Sequence, residues 1–187
     1  MPLAVTHAAP DFDRWDELHT LLMASFAYMA NRIDPPSSLL RMSAADLEQK
    51  SRDETLLLAM DGERIVGCAF VRLEAANNPS RAYIGKMAVG ADHRGQGIAR
   101  RFVEMAEAIA LDAGREALEL QTRIELTENH ETFASLGFIK TRENAHAGYD
   151  RPTNITMRRH LAPAVPPERF DRSPIDEFII APAGDND

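Results

Sequence analysis

Residues 87–101, Met-Ala-Val-Gly-Ala-Asp-His-Arg-Gly-Gln-Gly-Ile-Ala-Arg-Arg, hold the groups from which this chain can build an anion site. Gly95 and Gly97 let backbone N–H groups approach a ligand closely. A helix starting immediately after them adds exposed donors and the positive end of its dipole. Phosphate is the chemistry this arrangement serves. Arg100 and Arg101 point the same way, because cations in the first turn of a helix are disfavoured by about 0.3–1 kcal/mol each. A bound pyrophosphate turns that penalty into attraction. A dinucleotide loop is the competing reading, but its G-x-G-x-x-G pattern needs a third glycine where this chain has Arg100. The Gly-Lys-Ser/Thr ending of a nucleotide-triphosphate loop is absent as well.

Other chemistries fail on spacing. His130-Glu131 is followed by Ala134 where a zinc protease helix needs histidine, and no G-x-S-x-G elbow occurs. No metal site is expected. Cys68 lies inside an apolar run and reads as a small buried hydrophobe, and His130 reads as a helix-surface residue.

Local patterns supply the elements around this segment. Residues 3–7 suit a short edge strand. From Asp11 the spacing of Phe12, Trp15, Leu18, Leu22 and Phe26 predicts a helix. A loop with Pro35 and Pro36 follows, and Ser43 with Asp46 predicts a capped short helix to Lys50. Thr55–Met60 and Arg64–Arg72 read as strands joined at Asp61-Gly62, and Ala82–Val89 as a third. A long helix to about Ala113 buries Ile98, Phe102, Met105, Ala106 and Ile109, with Gly114 at its C′ position. Ala117–Thr122, Phe138–Arg142 and Ile155–Arg159 are further strands, and a short helix runs from Thr127 to Leu136. The fold class is therefore α/β, a mixed central sheet of about six or seven strands flanked by about four helices.

A chain of 187 residues fits one domain, here 1–162, followed by a Pro-rich C-terminal tail, 163–187. The tail carries Phe170, Ile175, Phe178, Ile179 and Ile180, apolar residues suited to docking on the domain or on a second copy in a homodimer. With 29 acidic against 21 basic residues the net charge is −8, which opposes binding to nucleic acid or an anionic membrane. The same balance favours a cationic acceptor through steering. A single cysteine leaves no internal disulfide. With no basic-then-apolar start and no run of about 18 apolar residues, a cytoplasmic location is expected.

Arg94-Gly-Gln-Gly97-Ile-Ala99 resembles the Q/R-x-x-G-x-G/A signature of the GNAT acetyltransferases. Met87-Ala-Val89 is similar to the strand that precedes it in that family. Asn129-His-Glu-Thr-Phe133-Ala-Ser-Leu-Gly137-Phe138 resembles the family's N-x-x-x-(F/Y)-x-x-x-G-F segment. The resemblance extends in element order over residues 3–160. It implies the GNAT fold and transfer of an acetyl group from acetyl-CoA to an amine of a small molecule or protein. It further implies that backbone groups of Met87 and Val89 hold the pantetheine arm. Backbone N–H groups of Gly95, Gln96, Gly97, Ala99 and Arg100, with Arg94 beside them, cradle the pyrophosphate, and Asn129 and Phe133 flank the cofactor from the other side.

Two departures matter. Many members carry tyrosine where this chain has Phe133, so the phenol that protonates the departing thiolate is missing. The strand Ala82–Val89 also lacks a carboxylate to serve as base. The loop His146-Ala-Gly-Tyr149 offers substitutes: histidine titrates near neutrality, and a phenol can donate to sulfur. Tyr149 and His146 are accordingly the catalytic candidates. Direct attack in a ternary complex is expected, since no nucleophile is placed to carry the acetyl group. Two alternatives stay open on these residues: a non-catalytic CoA-binding module, and an acyltransferase using another acyl-CoA.

Overall fold

A computed structural model describes residues 3–74 and 80–161. The proposed tail, with Phe170, Ile175, Phe178, Ile179 and Ile180, lies outside the described residues, as does the boundary at 162.

Seven strands form one sheet in the order β1-β2-β3-β4-β5-β7-β6. They are β1 (Ala4–His7), β2 (Thr55–Asp61), β3 (Arg64–Arg72), β4 (Arg81–Val89), β5 (Ala117–Arg123), β6 (Ile139–Asn144) and β7 (Asn154–His160). Four α-helices accompany them: α1 (Trp15–Phe26), α2 (Ala44–Ser51), α3 (Ile98–Asp112) and α4 (Thr127–Ser135). Strand alternation divides the apolar residues between two faces. Leu57, Ala59, Val66, Ile84 and Leu118 meet Phe102 and Val103 of α3, while Leu56, Leu58, Cys68 and Phe70 meet Leu18, Leu22 and Leu47 of α1 and α2. Both faces of β2 and β3 are thereby covered. That explains why these strands read as continuous apolar runs rather than alternating ones.

Two local expectations need correction. Helix α1 starts at Trp15 instead of near Asp11, with Asp16 and Glu17 in its first turn. Phe12 stays outside as an anchor, its ring edge-on to Trp15 at 4.7 Å. Glu17 takes the dipole position because Arg14 donates to it and it also accepts the Ile65 N–H. In the first hairpin Asp61 still pairs with Arg64, so the turn is Gly62-Glu63, and only Gly62 needs positive φ. The capping box at Ser43 and Asp46 and the left-handed Gly114 after α3 form as the sequence predicts.

The sheet opens where it matters. Among the described residues β4 and β5 are the one parallel pair, joined only from Arg81–Tyr83 to Ala117–Glu119. Beyond Tyr83 the strands diverge: β4 stays with β3, and β5 stays with β7. Glu119, 1% exposed, closes the base of the opening by ion pairs to Arg81 at 3.4 Å and Arg158 at 2.8 Å. On β4 an extra residue sits between the pairs Phe70↔Gly85 and Cys68↔Ala88, and Lys86 there adopts φ +49°. A left-handed residue that is not glycine marks a strained bulge, the kind of distortion that re-aims a strand next to a site.

Cys68 holds this bulge from β3. Its thiol donates to the Lys86 carbonyl at 3.6 Å and accepts the Ala88 N–H. Burial pushes the thiol up to about 12, so it stays protonated and unreactive. Cys68 is therefore more than a packed hydrophobe. Cys68→Ala strands two backbone groups and leaves a small void. Urea titration is expected to show a loss of about 1–3 kcal/mol; an unchanged midpoint would mean that the bulge holds without the thiol.

Candidate active site

The route from β4 into α3 passes a short 3₁₀ turn (Ala91–His93) and then two left-handed glycines, Gly95 at φ +76° and Gly97 at φ +77°. His93 Nε2 lies 3.1 Å from Asp61 Oδ2 and ties the loop to the first hairpin. Arg94 reaches back, its guanidinium donating to the Val89 and Ser25 carbonyls and resting 5.8 Å from the Tyr28 ring centre. None of the six N–H groups from Gly95 to Arg100 donates to a protein acceptor among the described residues; the next, Arg101 N–H, bonds the Gly97 carbonyl. Ideal Cβ positions at Gly95 and Gly97 meet nothing within 4 Å. Six N–H groups with no protein acceptor among the described residues, at a helix N-terminus, are donors of the kind that can hold an oxyanion. Of the two arginines in the first turn, Arg100 is exposed and unpaired among the described residues, whereas Arg101 donates to the Leu3 carbonyl of the N-terminal segment.

The gap between β4 and β5 is a cleft of about 360 Å³. It brings together Met87, Asn129, Phe133 and His146, four residues singled out in the sequence. Val89 is not on its lining, and its carbonyl accepts from Arg94. Phe133 packs edge-on to Phe138 at 6.2 Å. Tyr149 also lies off the lining. Its hydroxyl donates to Asp34 Oδ1 at 2.6 Å, and Arg151 holds the other oxygen at 2.7 Å. The Asp34 hydrogen bond raises the Tyr149 phenol above its usual range, and the same bond holds the Asp34 carboxyl low. That phenol is a latch between two loops, with its proton committed to a carboxylate.

His146 reaches the cleft but is also engaged. Nδ1 accepts from Arg123 Nη1 at 3.2 Å and lies 2.6 Å from the Thr153 hydroxyl, which assigns the ring proton to Nε2 in the neutral form. Burial first, and then the Arg123 charge, lower the imidazole's proton affinity. A depressed histidine is neutral in the fold and takes up its proton more readily when unfolded. Its stabilising contribution is therefore complete above the unfolded value, about 6.5, and is lost as pH falls from there through the lowered folded value. His146→Gln is expected to flatten the acid-side decline of stability below about pH 6.5, as read by urea titrations. An identical slope in the variant would contradict this placement.

Several cleft residues were missed by the sequence reading. Tyr28 follows α1 in a 3₁₀ turn; Asn129 Nδ2 donates to its hydroxyl at 3.0 Å, and that hydroxyl faces Asn129 Oδ1 at 3.4 Å. Tyr83 stands at the fork, its hydroxyl accepting the Gln121 N–H and its ring lying over Gly85, where a Cβ would come within 2.7 Å. Lys86 donates to Ser38 Oγ at 3.0 Å. Arg123 is anchored by the Pro35 and Pro36 carbonyls. His130, expected on the helix surface, instead turns inward to the Arg123 carbonyl at 2.8 Å. Gly85 was the available signal for the bulge; nothing local marked Tyr28, which reaches Asn129 across 101 positions of sequence.

The sequence profile of the acetyltransferase (GNAT) family matches residues 15–138, two thirds of the chain. The chain belongs to the GNAT family. Solved structures agree on the fold. A GNAT acetyltransferase from Staphylococcus aureus Mu50 superposes at a TM-score of 0.67 with 13% identity, covering 86% of this chain and 100% of that one. One from Elizabethkingia anophelis with acetyl-CoA bound gives 0.62 with 17% identity, covering 85% and 98%. An aminoglycoside 6′-N-acetyltransferase complexed with coenzyme A gives 0.66 with 15% identity, covering 87% and 99%. No curated protein matches the chain. As a GNAT protein the chain is an acyltransferase, and the seven-stranded sheet with four helices is that family's architecture. Among the described residues no three His, Cys, Asp or Glu side chains gather as a metal site, and no helix is long and apolar enough to cross a membrane.

Proposed function

We propose that this chain transfers the acetyl group of acetyl-CoA to an amine by direct attack in the cleft between β4 and β5. The observation that carries this reading is the row of six unpaired N–H groups at residues 95–100, set at the end of the strand that borders the cleft. Acetyl-CoA supplies an acetyl group already activated as a thioester. The residues present fit it: the N–H groups of residues 95–100 and Arg100 suit the pyrophosphate, the free edge of β4 at Met87 suits a pantetheine amide, Val89 serving only if Arg94 releases its carbonyl, and Asn129 faces from α4. Homologous folds with acetyl-CoA or coenzyme A bound support this choice of cosubstrate.

The chain's own groups divide the remaining work. No carboxylate lines the cleft among the described residues, whereas Lys86, Arg123 and Arg41 do. Their positive field lowers the proton affinity of an incoming ammonium, so the amine enters in its neutral, nucleophilic form. The new N–C bond forms as the C–S bond breaks, and the nitrogen releases its proton to water. With Tyr149 latched to Asp34 and phenylalanine at position 133, the Tyr28 hydroxyl beside Asn129 is the donor for the leaving sulfur.

Release of free CoA thiol from acetyl-CoA, measured with and without an amine panel, tests the reading. Amine-dependent release is expected. Binding of CoA with no release for any amine would establish the non-catalytic module instead.

A further inference from the structure

The whole chain is acidic, yet the acceptor end of the cleft is not. Its charged lining residues are Arg41, Lys86 and Arg123, with the polarisable His146, and it holds no aspartate or glutamate. The carboxylates around it pair with cations outside the lining, although Glu54 Oε2 and Glu125 Oε2 are buried with no hydrogen-bond partner among the described residues. Glu54 pairs with Lys50 at 2.6 Å and Arg72 at 3.7 Å, Asp34 binds Tyr149 and Arg151, and Glu125 lies 3.8 Å from Arg151. Arg123 is spent on two prolyl carbonyls and His146. That leaves Lys86 and Arg41. Lys86 is half-buried, and its sole hydrogen bond is to the Ser38 hydroxyl; Arg41, at the end of the 3₁₀ turn that begins at Ser38, has no partner among the described residues.

A half-buried lysine with no carboxylate at ion-pair distance is costly unless something negative completes it, and the Glu54 charge, acting from beyond that distance, offsets the cost only in part. The backbone strain at Lys86 adds to the point, since a φ of +49° for a non-glycine residue persists only where its surroundings enforce it. Burial first, and then the neighbouring Lys50 charge, lower the ammonium's proton affinity, while the Glu54 charge works against them.

Resting on the proposed N-acetyltransfer, we infer that the acceptor is an amine carrying its own anionic oxygen group, which Lys86 and Arg41 bind while the amine faces the thioester. An amino acid is the simplest such molecule, and an amine bearing a phosphate is the other source of the same chemistry. The apolar cavity of about 430 Å³ beside the cleft, lined by Met23, Leu39 and Leu40 and sharing Phe26 and Met29 with it, suits an apolar side chain on that amine. The net charge of −8 had pointed to a cationic acceptor; the local field has the opposite sign.

The test compares kcat/KM for leucine with leucinamide, phosphoethanolamine with ethanolamine, and both series with spermidine. Leucinamide has the less basic amine, so chemistry alone favours it, and any preference for leucine reports the carboxylate. A preference of about tenfold or more is expected for the anionic member of one pair, the scale of one hydrogen bond to a charged group. The pair that shows it names the anion. Lys86→Asn, which tolerates left-handed backbone, and Arg41→Gln at an exposed site should each collapse that preference toward unity. Calorimetric CoA affinity is the control. Equal rates within both pairs, a preference for spermidine, or a fall in CoA affinity that matches the loss of rate would each overturn the inference while leaving N-acetyltransfer standing. Absence of turnover with every amine would overturn both.

Discussion

Gly97→Val is expected to abolish acetyl-CoA binding at concentrations that saturate the wild type. Gly97 caps α3 with φ +77°, in a region where an L side chain costs about 1–2 kcal/mol and a β-branched one more. The space its side chain would enter is empty of protein, so a branched side chain there would crowd a ligand approaching the N–H groups of residues 95–100. Losing two hydrogen bonds to a charged group lowers affinity by about 10²–10⁴-fold. Gly114→Ala separates strain from site: it has φ +69° and equally open surroundings, but lies at the far end of α3. Calorimetry should show Gly114→Ala binding as the wild type does. Equal losses in both variants, or none in Gly97→Val, would contradict the cradle.

Tyr28→Phe is expected to lower kcat by about 10²-fold or more, the usual scale for removing a general acid. Its hydroxyl is within hydrogen-bonding distance of Asn129, and Phe133 follows one turn later on the same face of α4. That geometry suggests a rescue. Phe133→Tyr placed in the Tyr28→Phe background should recover much of the rate by supplying a phenol from the other wall. Tyr149→Phe serves as the comparison, since its hydroxyl is held by Asp34 away from the cleft lining. A normal kcat in Tyr28→Phe together with a slow Tyr149→Phe would reverse the assignment and return the acid to the 146–149 loop.

Element order was legible because each signal was local. The hairpin glycine, the Ser43–Asp46 cap, the apolar stripe of α3 and Gly114 all act within a few residues, and all four formed. The geometry of the glycine loop was legible for the same reason: two left-handed glycines and a helix start are contiguous in sequence. The catalytic side was not. His146 and Tyr149 have the right chemical types, but their partners, Arg123 and Asp34, lie 23 and 115 positions away and decide what each can do. Tyr28 and Lys86 went unnoticed because a tyrosine after a helix and a lysine in a strand carry no signal by themselves. The bulge that brings Lys86 to the cleft depends on pairing with Cys68, a residue whose apolar surroundings suggested only packing. Net charge is uninformative for a related reason: a sum over 187 residues says nothing of which side chains face one cleft.

The most direct measurement is a titration of nitrogen-15-labelled protein with CoA, followed at each backbone amide and by hydrogen exchange. The amides of residues 95–100 should shift together at saturating CoA and become protected from exchange, because donors with no protein acceptor gain phosphate oxygens. Amides around Gly148, outside the cleft, should move little. Binding that leaves those six amides unperturbed and unprotected, while other regions respond, would contradict the claim that this loop holds the cosubstrate.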